Sequence, residues 1–146
     1  MLTLLDFAGF WTLDRTIEDR LSGRPGRFHG TARLTPDAEG LRYREEGTLT
    51  LGDGPSLAAH RDYLWRADGD AIKVLFPDGR PFHRFMPSGR APGTDHPCGA
   101  DLYQVLYDLA GWPAWTAEWT VRGPAKDYTM GSLYRPAPGN LRGRAR

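Results

Sequence analysis

From Gly9 onward the chain alternates. "GFWTLDRTI", residues 9–17, puts Gly9, Trp11, Leu13, Arg15 and Ile17 on one side of an extended strand and Phe10, Thr12, Asp14 and Thr16 on the other. "GLRYREEGTLTL" repeats the pattern: Leu41, Tyr43, Glu45, Gly47 and Leu49 share one face, and Arg42, Arg44, Glu46, Thr48 and Thr50 share the solvent face. The period is two almost throughout. It predicts strands over 9–18, 26–35, 40–51, 57–67, 70–76, 81–86, 100–109, 114–122 and 127–135. Between them stand turn signals such as "SGRPG", "TPDAEG", "LGDGP", "PDGR" and "RGPAK". "MLTLLDFAG" reads as a single helical turn closing one end, and "PSGRAPGTDHPCG" as the longest irregular stretch.

Strands spaced about ten residues apart, each with one apolar or aromatic face, predict an all-β fold: a single antiparallel up-and-down β-barrel of about 8–10 strands. Closing the sheet on itself buries those faces and removes its edges. Residues 1–136 form the barrel domain, and 137–146, "APGNLRGRAR", read as a basic, disordered tail.

Two resemblances follow. Gly9-Phe10-Trp11 at the start of the first strand, with Arg135 at the end of the last, resembles the calycins, the lipocalins and fatty-acid-binding proteins. That resemblance implies a tryptophan, Trp11, plugging the closed end and a late basic residue packing across it. The runs "GxWxLxR", "GLxYxExG", "DGRPFHxF", "HxCxxDxY" and "KDYxMxSxYxR" span most of residues 9–135 and resemble an uncharacterised bacterial domain-of-unknown-function family. The second resemblance implies a fold and no established activity.

The inner faces set the chemical question, because they carry charge. Arg15, Glu45, Arg61 and Asp101 fall on them, beside Tyr63, Tyr103 and Tyr128. A buried charge is costly unless paired. Pairing of Arg15 with Glu45 and of Arg61 with Asp101, or crosswise, would make a self-satisfied core. Alternatively the cations receive an anion, for which the arginine fork is suited. The small residues Gly30, Ala32, Gly47 and Ala59 either leave room for a ligand or admit the bulky tryptophans. Lys126, Asp127 and Tyr128 would form a charged lip over the opening.

Composition narrows the partners. Net charge is +1, so no global field draws nucleic acid or a membrane surface. One cysteine, Cys98, excludes an intrachain disulfide. The N-terminus has no basic region before its apolar run, which Asp6 interrupts, so the expectation is a cytoplasmic protein with no membrane span.

Three functional readings follow. The first is a barrel binding a small anionic or aromatic ligand through Arg15, Glu45, Arg61, Tyr63, Asp101, Tyr103 and Tyr128, with Trp65, Trp115 and Trp119 as apolar walls. The second is a metal site or enzyme centred on His83, His96, Cys98 and Asp101. Three soft or borderline ligands, His83, His96 and Cys98, could suit a transition metal. A Cys–His pair could serve a nucleophile, although nothing marks an oxyanion hole. The third is an interaction module with a self-paired core and no ligand, dimerising through a sheet face. The sequence specifies no cofactor.

Overall fold

The computed structural model describes residues 1–138, so the last eight residues of the tail expected at 137–146 lie outside the described residues. A 3-10 turn, η1 (Leu4–Phe7), is followed by β1 (Gly9–Asp19), β2 (Pro25–Pro36), β3 (Leu41–Leu51), β4 (Ser56–Asp68), β5 (Ala71–Leu75) and β6 (Pro81–Phe85). Then come β7 (Arg90–Pro92), β8 (His96–Cys98), β9 (Asp101–Asp108), β10 (Trp115–Gly123) and β11 (Lys126–Pro136). All strand pairs are antiparallel, in the order β6-β5-β4-β3-β2-β1-β11-β10-β9-β7, with β8 also on β9. β7 and β8 are short strands inside the stretch expected to be irregular. They pair with opposite ends of β9 and together form one interrupted strand.

That interrupted strand closes the barrel. Gly93 N–H donates to the Val105 carbonyl of β9, and Thr94 N–H donates to the Arg84 carbonyl of β6, each at 2.9 Å. The Arg84 N–H donates in turn to the Thr94 hydroxyl at 3.0 Å. The seam between β6 and β9 is therefore bridged by two residues rather than by a long ladder.

Alternation sorts the side chains as the pattern requires. Trp11, Leu13, Leu34, Leu41, Trp65, Val74, Tyr107, Trp115 and Tyr134 are buried in one continuous core. β6 breaks the period. Its register with β5 runs from Val74↔His83 to Leu75↔Pro81, which leaves Phe82 as an extra residue. Such a bulge bends the strand and re-aims its side chains, and both Phe82 and His83 are buried.

One end of the barrel is plugged by the chain's own N-terminal turn. Phe7 packs edge-on against Trp112 and Trp115, with centroids 4.9 and 5.3 Å away, and lies 5.4 Å from Trp65. The Trp11 indole N–H donates to the Phe7 carbonyl at 3.0 Å, fixing the turn to the first strand. Trp11 thus plugs this end as the calycin resemblance implies. Arg135 does not cross it: Tyr134 takes the inward position of β11, which turns the next residue outward, and Arg135 is exposed. Rings of Trp112 and Trp115 cover Trp11 instead.

Gly30 and Gly47 face each other in the β2–β3 register. A Cβ on Gly30 would lie 2.1 Å from the Glu46 carbonyl oxygen, and one on Gly47 2.3 Å from that of His29. These glycines let two backbones meet. They make room neither for a ligand nor for a tryptophan.

Candidate ligand-binding site

Above the aromatic floor sits a polar layer. The Arg15 guanidinium reaches past β2 to Glu45 on β3, donating through Nη1 at 2.7 Å and Nη2 at 3.0 Å, while its Nε donates to the Ser132 hydroxyl at 2.8 Å. Tyr43 donates its hydroxyl to the same carboxylate at 2.6 Å and lies 2.7 Å from the Tyr134 hydroxyl. The ion pair is nearly dry, with side-chain exposures of 11% and 4%. Burial pushes the Glu45 carboxyl up. The hydrogen bonds and charge of Arg15, then Tyr43 and Arg61, outweigh that and hold it below its ordinary value. Three of the five N–H donors of Arg15, one on each nitrogen, are thus taken by Glu45 and Ser132, and its charge is met by the Glu45 carboxylate.

Further along the axis lies the mouth. Lys126 Nζ donates to the Tyr103 hydroxyl at 2.8 Å and lies 3.4 Å from the Asp101 carboxylate. The expected lip therefore comes from Lys126 and Tyr128, while Asp127 pairs with Arg20 at 2.8 Å. The expected partnership of Arg61 with Asp101 does not form. Asp101 is taken by the adjacent β11 lysine, because β9 and β11 flank β10 and bring their ends together at this rim.

That leaves Arg61. Among the described residues no carboxylate is in ion-pair contact with it, and its one hydrogen bond runs to the Tyr63 hydroxyl at 3.5 Å. Arg61 borders two cavities. The inner one, of about 40 Å³, touches Arg15, Glu45, Tyr63, Phe82, Trp119 and Met130. The outer one, of about 300 Å³, is bounded by Ile17, Arg24, Leu51, Tyr128 and Met130 as well as Arg61. Asp19 also reaches its edge, where its carboxylate accepts from the Leu21 N–H and the Ser22 hydroxyl, each at 3.0 Å. Arg24 donates to the Leu51 carbonyl at 2.8 Å and so holds the β1–β2 turn against the rim. A wider concavity, about 850 Å³, lies on the outer surface of the sheet, among exposed Asp14, Thr16, Arg27, His29 and Glu118. It is an open saddle over β1, β2, β10 and β11, where exposed side chains stand beside strand positions, Arg15 and Ser132 among them, whose own side chains bond in the polar layer.

The structure gathers Arg15, Glu45, Arg61, Tyr63, Tyr103 and Trp119 around the inner cavity and Tyr128 around the outer one. Trp65 and Trp115 belong to the floor, with ring centroids 6.2 Å apart. Asp101 belongs to the rim. Two residues of the inner cavity, and Ile17, Asp19, Ser22, Arg24 and Leu51 of the outer one, escape the sequence reading of the site. Phe82 sits inside only because of the bulge, and Met130, inward on β11, has no charge or hydroxyl to mark it.

His83, His96 and Cys98 do not converge. Among the described residues, no three His, Cys, Asp or Glu side chains form a group able to hold a metal ion. His83 is buried, its Nε2 lying 2.7 Å from the Tyr107 hydroxyl. Burial, with the charge of His96, pushes its imidazole down to about 3, so it is neutral. Its Nδ1 is buried without a hydrogen-bond partner. His96 packs on Phe82 with centroids 5.1 Å apart, and Cys98 is exposed on the β8–β9 hairpin. No helix among the described residues is long and apolar enough to cross a membrane.

An antiparallel, nearly closed barrel with a first-strand tryptophan over an aromatic floor is a calycin-like fold. The chain belongs to the DUF6314 family of unknown function, whose model matches residues 7–136. No curated protein matches the sequence. Among solved structures, the S-type phycobiliprotein lyase CpeS from Guillardia theta is similar, with a TM-score of 0.58 at 9% identity over 90% of this chain and 87% of that one. A protein of unknown function from the DUF3598 family of Nostoc punctiforme gives 0.55 at 13% identity, over 92% of this chain and 48% of the other. The redesigned barrel mFAP1, bound to DFHBI, gives 0.44 at 16% identity, over 91% of this chain and 98% of that one.

Proposed function

We propose that this protein binds a small anionic ligand with an apolar or aromatic body at the mouth of the barrel. The observation that carries the reading is the lone position of Arg61. Arg15 has Glu45 and Lys126 has Asp101, whereas Arg61 has no carboxylate paired with it among the described residues and faces a cavity of about 300 Å³. That volume lies at the lower end of the range typical of small-molecule sites. A carboxylate or a similar planar oxyanion matches the guanidinium fork. Tyr63 and Tyr128 would add hydroxyls, and Ile17, Leu51 and Met130 an apolar surface.

The self-paired interior is the competing reading for the deeper half of the barrel. The Arg15–Glu45–Tyr43 network is complete there, and the inner cavity of about 40 Å³ accommodates no more than a few waters. It supports a structural role for Arg15 and Glu45 and moves the ligand outward to Arg61.

Calorimetric titration with 2-naphthoate, and with the uncharged 2-naphthalenemethanol, tests the reading. One saturable site for the carboxylate is expected, with weaker binding of the alcohol. Arg61→Gln should weaken the carboxylate by about tenfold or more, the loss expected for a charge-assisted contact. Equal affinity of wild type and R61Q, or no saturable binding of either compound, would overturn it.

A further inference from the structure

The bulge in β6 places Phe82 in an unusual position. Its ring stacks on Trp119, with centroids 5.0 Å apart and planes 13° from parallel. It also stacks on Phe76 at 4.7 Å and 23°, and on Tyr63 at 5.5 Å and 28°. Tyr63 and Phe76 lie 6.3 Å from each other, with planes 50° apart. Phe82 is thus the ring on which Trp119, Phe76 and Tyr63 all stack, the position a planar aromatic guest would take among them.

Three surrounding features bear on what else could fill that place. The small inner cavity borders Phe82, Trp119, Tyr63 and Arg61 together, so removing the Phe82 ring would join it to a larger space ending at a guanidinium. His83, next in the chain, is 6% exposed, with its ring 4.9 Å from Trp119 and its Nδ1 unpartnered. A buried polar atom without a partner is uncommon and costly. Finally, β6 is five residues long, terminates the path of the sheet, and is held on its far side through Thr94. The wall carrying Phe82 is thus a short edge strand, bonded on its outer side only around Thr94.

We propose that Phe82 holds a slot for a planar aromatic anion and that ligand entry swings its ring out. In the liganded protein the guest's ring stacks between Trp119 and Tyr63. Its anionic group meets Arg61, and a hydroxyl on its inner edge hydrogen-bonds His83 Nδ1, which it can do with either imidazole tautomer. The inference rests on the mouth site proposed above and deepens it: planarity, as well as charge, becomes a requirement on the ligand.

Displacing a seated ring reduces the fraction of binding-competent protein, and truncating that ring restores it. Titration of wild type, F82L, F82A and F82A/H83F with 6-hydroxy-2-naphthoate, 2-naphthoate and decanoate tests the slot. Circular dichroism would confirm the fold of each variant, and F82L retains apolar bulk if F82A does not fold. The expected result is an affinity for both naphthoates about tenfold higher in F82A, or several-fold higher in F82L, with decanoate changing much less. The hydroxyl of 6-hydroxy-2-naphthoate, at the end of the ring system remote from the carboxylate, should add affinity in F82A and none in F82A/H83F. If wild type binds 2-naphthoate through Arg61 but neither Phe82 variant tightens it, or if decanoate gains equally, the slot is overturned while the mouth site stands. If no variant binds any of the three acids, both fall.

Discussion

Arg15 on β1 and Glu45 on β3 make a two-pronged ion pair across an intervening strand, at 2.7 and 3.0 Å, deep inside the barrel. Neither is the register partner of the other. The pair therefore ties together three strands and sets the relative stagger of β1, β2 and β3 as a salt bridge between neighbours could not. Removing one partner strands the other in a low-dielectric interior, whereas removing both removes the desolvation cost as well.

R15M and E45M should each destabilise the protein by about 3–5 kcal/mol in urea unfolding, and the double variant by clearly less than their sum. Additive losses would show that the two side chains do not depend on each other.

Acid should weaken the fold in two windows. The unfolded chain protonates His83 near its ordinary value of about 6.5, whereas the folded chain does so only near 3. Between those values the unfolded state binds more protons, so stability falls as pH drops, by up to about 1.4 kcal/mol per pH unit. Glu45, held below the ordinary carboxylate value, adds a second loss only below about pH 4. Unfolding free energies of wild type and H83F at pH 7, 6 and 5 should show the upper slope reduced in the variant. An unchanged slope would assign it to other groups.

Gly30 and Gly69 separate two reasons for glycine. G30A forces a methyl into the Glu46 carbonyl, a clash with backbone, and should cost about 3 kcal/mol or more. Gly69 lies in the β4–β5 turn at φ +59°, where an added methyl would meet nothing within 4 Å. G69A should cost only about 1 kcal/mol, from backbone conformation alone. Thermal unfolding of the two variants would rank them.

R61Q should change stability by no more than about 1 kcal/mol, because it breaks no ion pair among the described residues and removes only the more distant attraction of Arg61 for Glu45. A protein that keeps its melting temperature and loses the naphthoate site would separate binding from folding. A large drop in melting temperature would make Arg61 a structural residue.

Alternation made the long strands legible, since a half-buried sheet cannot slip by one residue without inverting its faces. It also placed Trp11, Arg15, Glu45 and Tyr63 inside, where the structure has them. β7 and β8 were not legible: three residues among prolines and glycines carry no period, and only pairing with β9 makes them strands. Phe82 was hidden because a bulge is a break in the very pattern used to read faces. The partner of Asp101 was hidden because the sequence places residues on faces but not at heights along the axis. Lys126 wins that carboxylate by height.

The floor of the barrel comes from residues outside its walls. Phe7, in the short turn before β1, and Trp112, in the loop before β10, meet each other under Trp11 at the centre. Neither contributes to the ladder of strands. The depth of the vessel and its circumference are thus set by separate pieces of chain, so one can be altered by substitution without redrawing the other. A shorter side chain at Phe7 opens a void beneath Trp11 and costs core packing, while the strand ladders, in which Phe7 takes no part, keep their register.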